Sequence, residues 1–139
     1  MADPFDLQRF VTAQADDYDR ARTELRAGAK RGHWMWFIFP QLSALGHSAT
    51  AKHFGITSLD EARAYLAHPV LGARLRECAR LVTAVRGRTI DAILGYPDNL
   101  KLRSSMTLFA RAADDNADFV AVLDKYYDGG RDPRTLELL

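Results

Sequence analysis

Cysteine is all but missing from this 139-residue chain, with Cys78 standing alone. No internal disulfide or multi-thiolate zinc site can form, and the usage fits a reducing compartment. Net charge is nearly missing too. Nineteen Lys and Arg face eighteen Asp and Glu, a formal +1, so no overall field draws in nucleic acid or an anionic membrane. The one basic stretch, Arg20, Arg22, Arg26, Lys30 and Arg31, is diluted by Asp17, Asp19 and Glu24, and nucleic-acid binding is not expected of it. No apolar run approaches the roughly 20 residues of a membrane span, and Met1-Ala2-Asp3-Pro4 does not read as a secretory signal. A soluble cytoplasmic protein is expected. Fixed-period repeats, Gly/Ser linkers, a Walker-type loop, a dinucleotide fingerprint and a nucleophile elbow are also lacking. Their lack excludes solenoids, a second domain, and mainstream dehydrogenases and nucleotide hydrolases. The four histidines, His33, His47, His53 and His68, fall on different elements without a metal-ligand spacing, so neither metal nor cofactor is expected.

What is present is apolar material, 47% of residues, enough for one core and one domain over 1–139. Its densest stretch is Gly32-His33-Trp34-Met35-Trp36-Phe37-Ile38-Phe39-Pro40-Gln41-Leu42, which holds both tryptophans. As a strand it is apolar on both faces, and as a helix apolar all round, so either way it is central. Elsewhere helical periodicity prevails. Asp3-Pro4 opens a short helix through Phe5, Leu7, Phe10 and Val11, and a second, surface helix runs from Tyr18 to Ala29 with Gly32 ending it. Ser58-Leu59-Asp60-Glu61 forms a capping box, and His68 caps the turn before Pro69. Leu71, Leu75, Cys78, Ala79, Val82 and Val85 mark a long buried stripe. Further helices follow Thr89, Pro97-Asp98, Asn116 and Asp132-Pro133. The fold predicted is mainly α, one compact domain of about six to eight helices, with at most a minor strand near 34–39.

Two stretches carry candidate chemistry. In the aromatic run, Trp34 and Trp36 offer stacking surfaces while His33 and Gln41 are polar groups bracketing them, the composition of a small-molecule pocket; a plain core is the alternative. The second stretch, Pro97 to Thr107, sets Asp98, Lys101, Ser104 and Ser105 on the first turns of a helix. There lysine and hydroxyls can hold phosphate or ribose; equally, Asp98 caps, Lys101 pairs with it and the serines bond back to their own turn.

With both stretches in view, the chain closely resembles the bacterial family known as domain of unknown function 1810. The match runs from Phe5 to Leu138, through Phe54-Gly55-Ile56, Ala62 to Leu66, His68-Pro69-Val70-Leu71-Gly72 and Asp98 to Phe109; Ala44 stands where the family more often has glycine. The resemblance implies the fold without naming a reaction. Some relatives carry a calpastatin label, which does not suit a short, core-rich chain. A remoter likeness is to the NADAR superfamily of ADP-ribose chemistry, which includes N-glycosidases, and it implies a role for Lys101. That superfamily's glutamate-histidine pair and lysine-phenylalanine step are not matched, since Gly32 precedes His33 and Leu102 follows Lys101.

Together these point to a nucleotide or ADP-ribose-like ligand, with Trp34 and Trp36 stacking, His33 and Gln41 orienting, and Lys101, Ser104 and Ser105 holding phosphate or ribose. Asp98 and Lys101 are the catalytic candidates if the same site hydrolyses an N-glycosidic bond, where a carboxylate steadies an oxocarbenium-like state. The competing expectation is a noncatalytic protein-interaction module whose aromatic run is core alone.

Overall fold

A computed structural model describes residues 2–139, and within them every regular element is a helix. Helix α1 (Gln8–Ala27) begins where both Asp3 carboxylate oxygens accept the amides of Leu7 (2.8 Å) and Gln8 (3.0 Å). It ends at Gly28, whose φ of +69° is a left-handed cap that favours glycine. The sequence predicted two helices here, the second reaching Gly32; the structure has one continuous helix. The polar run Thr12–Asp17 that looks like a break is mostly the outer face, and its one inward member, Gln14, is buried with its amide donated to the Phe37 carbonyl at 2.7 Å. Arg74 in turn donates to Gln14 Oε1 at 3.3 Å. A satisfied buried amide reads as surface in a hydropathy pattern.

The aromatic run then makes a single helical turn, α2 (Met35–Ile38), rather than a strand. The Trp34 carbonyl accepts the amides of Phe37 and Ile38 at 3.3 and 3.1 Å, and Pro40 blocks continuation. From Leu42 the chain leaves on a 15-residue excursion through a 3₁₀ turn (Ser43–Leu45) and α3 (Ala49–His53) before returning at Ile56. A lone parallel bridge between Leu42 and Ile56 closes it, with Ser43 N–H donating to the Ile56 carbonyl and Ile56 N–H to the Gln41 carbonyl, both 2.9 Å. A compact loop with adjacent ends of this kind is an Ω-type element. Gly55 lets the two limbs touch, because a Cβ there would collide with the Ser43 backbone.

Helix α4 (Leu59–Ala67) starts on Ser58, whose hydroxyl accepts the Glu61 amide at 3.1 Å as the capping box predicts. Glu61 reaches one residue further back than expected, to the Thr57 amide and hydroxyl. His68 Nδ1 accepts the Val70 and Leu71 amides and opens α5 (Leu71–Ala84), whose predicted stripe is buried. Burial pushes the Cys78 thiol up to about 12, so it is an inert core side chain. Then come α6 (Ile90–Leu94), α7 (Asp98–Ala112), α8 (Ala117–Tyr127) and α9 (Pro133–Leu138). Asn116 does not cap α8 as predicted; its side-chain amide donates to the Ala110 carbonyl and holds the preceding turn.

Helix α7 is the spine, buried at Leu102, from Ser104 to Ala110, and at Ala112, with α4, α6, α8 and α9 packed around it. Helices α1, α4 and α8 pack on α5. One continuous apolar core joins them, making a single domain in which both tryptophans take part. No helix of the described residues is long and apolar enough to cross a membrane.

Candidate functional site

A small hollow forms where α2 meets the first turn of α7 under α3. Met35, Trp36 and Phe39 line it from the aromatic run, Gln41 from the residue after Pro40, Ala51 and Phe54 from the loop above, and Lys101 from α7. It holds about 10 Å³, room for one water-sized group. The two stretches singled out in the sequence therefore meet, through Trp36 and Gln41 on one side and Lys101 on the other.

Lys101 Nζ stands 5.0 Å from the centre of the Trp36 ring, a cation–π placement. Its only acidic neighbour among the described residues is Asp98, one turn earlier, at 3.8 Å, longer than a charge-assisted hydrogen bond. The other Asp98 oxygen lies 2.8 Å from Lys30 Nζ, and Lys30 also donates to the Gly32 carbonyl at 2.6 Å and sits 5.0 Å from the centre of the Trp34 ring. Two lysines on two indoles thus share one carboxylate.

The remaining predicted residues lie elsewhere. Trp34 is 1% exposed, and its indole N–H donates to Glu24 Oε1 at 2.9 Å. The same oxygen accepts the amides of Arg31 (2.7 Å) and Gly32 (2.9 Å). Burial alone would push the Glu24 carboxyl up, but these three donors outweigh it and hold it below its ordinary value. His33 is exposed and does not border the hollow. Ser104 turns toward α9, donating to Asp132 Oδ2 at 2.8 Å and to the Leu100 carbonyl. Ser105 is fully buried, and its hydroxyl has no partner among the described residues. Asp98 is beside the site, bound to Lys30, without lining the hollow.

Two residues that matter were not found from sequence. Lys30 reads as part of a solvated basic face, and only its position two residues before Gly32 ties it to the aromatic run. Arg9 donates all five of its N–H groups: to the carbonyls of Phe5, Asp6, His53 and Gly55, and to Glu61 Oε2 at 2.8 Å. It thereby pins the far limb of the loop over the hollow to α1 and α4. Among the described residues no group of His, Cys, Asp and Glu is arranged to hold a metal ion.

Fold and site define an all-helical single domain with one small aromatic hollow carrying a lysine and an amide. The chain belongs to the family described as "Protein of unknown function (DUF1810)", which it matches over residues 4–139. It is similar to the conserved hypothetical protein Rv1873 from Mycobacterium tuberculosis, whose crystal structure is known at 1.38 Å. The two share 64% identity over 99% of this chain and 98% of that one, with a TM-score of 0.97. No curated protein matches the chain.

Proposed function

We propose that the hollow between Trp36, Gln41 and Lys101 binds a nucleotide or ADP-ribose-like ligand. The observation that carries this is the state of its two polar groups: the Lys101 ammonium and the Gln41 amide border the same hollow, and neither makes a hydrogen bond at its side-chain end within the described residues. Polar groups without hydrogen-bond partners beside aromatic surface are what a ligand site consists of. Trp36 supplies aromatic surface for a base or ribose, Lys101 a cation for phosphate, and the Gln41 amide both a donor and an acceptor. At its present volume the hollow admits one polar group, with the rest of the ligand lying outward along Trp36 beneath the Ω-type loop. Hydrolysis of an N-glycosidic bond is an extension of this proposal, and it rests on Asp98 as the carboxylate.

Calorimetric titration with ADP-ribose and NAD tests it, with Lys101→Ala as control. Binding weakened at least tenfold in the variant supports the proposal, since a hydrogen bond to a charged group contributes about 1.5–3 kcal/mol. No heat and no amide shift with either ligand removes it. In that case the protein-interaction module stands instead, and the apolar side chains it would use are Tyr96 and Leu100 at the start of α7, 81% and 52% exposed.

A further inference from the structure

The charge at the mouth of the hollow is divided unequally. One carboxylate, Asp98, faces two ammonium groups, at 2.8 Å for Lys30 and 3.8 Å for Lys101. The Lys30 side chain is 9% exposed, held from three directions by Asp98, the Gly32 carbonyl and the Trp34 ring, whereas the Lys101 side chain is 25% exposed and borders the hollow. Charge-assisted contacts near 2.8 Å are much stronger than those a further ångström apart. Asp98 accordingly belongs to Lys30. Had Lys30 been apolar, the same carboxylate would have one cation to turn to, and that cation is Lys101.

We infer that Lys30 is a positioning residue for anion binding: it holds Asp98 away from Lys101, and Asp98 is an internal counter-ion that competes with a ligand's phosphate for the Lys101 ammonium. The identity of the ligand rests on the function proposed above; the behaviour of the three ionic groups does not. Two ammonium groups and one carboxylate leave a single positive charge at the site. A phosphate-bearing ligand gains from it and an uncharged nucleoside does not. In this role Asp98 acts on the ligand through Lys101.

Substitutions at the two positions have opposite expected signs, which a merely structural role would not give. In Lys30→Met the Asp98 carboxylate turns to Lys101, and affinity for ADP-ribose falls by roughly tenfold as a charge-assisted hydrogen bond is withdrawn from the ligand. In Asp98→Asn the competitor is gone and affinity rises by a few-fold, on the order of what one partly exposed charge contributes. The double variant returns toward wild type, and Lys30→Arg preserves binding. Titration with inorganic phosphate and with adenosine separates the phosphate contribution from the nucleoside: only phosphate follows the same order of variants. A crystal structure of Lys30→Met supplies the reading that needs no ligand, with Asp98 Oδ1 and Lys101 Nζ closing to about 2.8 Å. Should that distance stay near 3.8 Å, or should Asp98→Asn bind ADP-ribose more weakly than wild type, the inference is overturned. If phosphate binding follows that order of variants but wild type does not bind ADP-ribose, the inference stands and the proposed ligand falls; if wild type binds neither, both fall. Where Lys30→Met does not fold, the sign of the Asp98→Asn effect decides alone.

Discussion

Replacing Arg9 by alanine removes one side chain and five hydrogen bonds, and the structure sets the scale of the loss. Arg9 and Glu61 are 11% and 2% exposed and 2.8 Å apart, so the variant strands a buried carboxylate. Removing one partner of a buried ion pair costs about 3–5 kcal/mol. Glu61 keeps its bonds from the Thr57 amide and hydroxyl, which places the expected value at the low end, near 3 kcal/mol. For a domain of this size that lowers the melting temperature by about 12 °C, within a total stability of about 5–15 kcal/mol that lets the variant fold. Urea and thermal unfolding measure the loss. Hydrogen exchange reports where it falls: the amides of Ser43 and Ile56, which close the loop, exchange faster, while those in the middle of α7 follow global unfolding. A double-mutant cycle with Glu61→Gln gives a coupling of about 1–3 kcal/mol between the pair. A loss under about 1 kcal/mol, or strictly additive singles, refutes the view of Arg9 as the clasp of this loop.

Four further substitutions follow from the same geometry. Ser104→Ala loses the bond to Asp132 that anchors α9 and costs about 1–2 kcal/mol, whereas Ser105→Ala removes an unpartnered buried hydroxyl and is neutral or stabilising by up to about 1 kcal/mol; equal losses in chemical denaturation would contradict the assignment. Because the Glu24 carboxyl is held below its ordinary value in the fold, its stabilisation is complete above the unfolded-state value and disappears as pH falls through the folded one. Glu24→Gln should therefore show a flatter decline of stability in acid than wild type; parallel curves would refute the role. Gly72→Ala drives a Cβ into the Leu66 carbonyl oxygen at the α4–α5 corner, and overpacking of this kind lowers stability by about 1–3 kcal/mol in urea unfolding; an unchanged midpoint would show that the corner yields.

The helices most legible in the sequence are those with local signals. Ser58 and His68 bond to amides within three residues, and the α5 stripe repeats at the helical period. The long first helix reads as two because Gln14 is polar, and its partners Phe37, Tyr65 and Arg74 lie on other elements. The site divides in the same way. Density of aromatic and polar groups picked out Trp36, Gln41 and Lys101. It could not separate Trp36 from Trp34, because which indole is sealed depends on Glu24 from α1. Nor could it place the two adjacent serines, one facing α9 and the other the core. Lys30 and Arg9 were illegible because their partners are distant in sequence.

The segment from Ser43 to Gly55 leaves and rejoins the framework at neighbouring points. The framework also holds it at Phe54, whose ring packs on Phe10 and Phe37, and at the His53 and Gly55 carbonyls that accept from Arg9, so the freely exchangeable part is the exposed tip from His47 to Thr50. A longer insert from another source could be grafted at that tip, with the bundle below still assembling. The tip can thus be rebuilt while Ala51 and Phe54 keep the cover of the hollow in place.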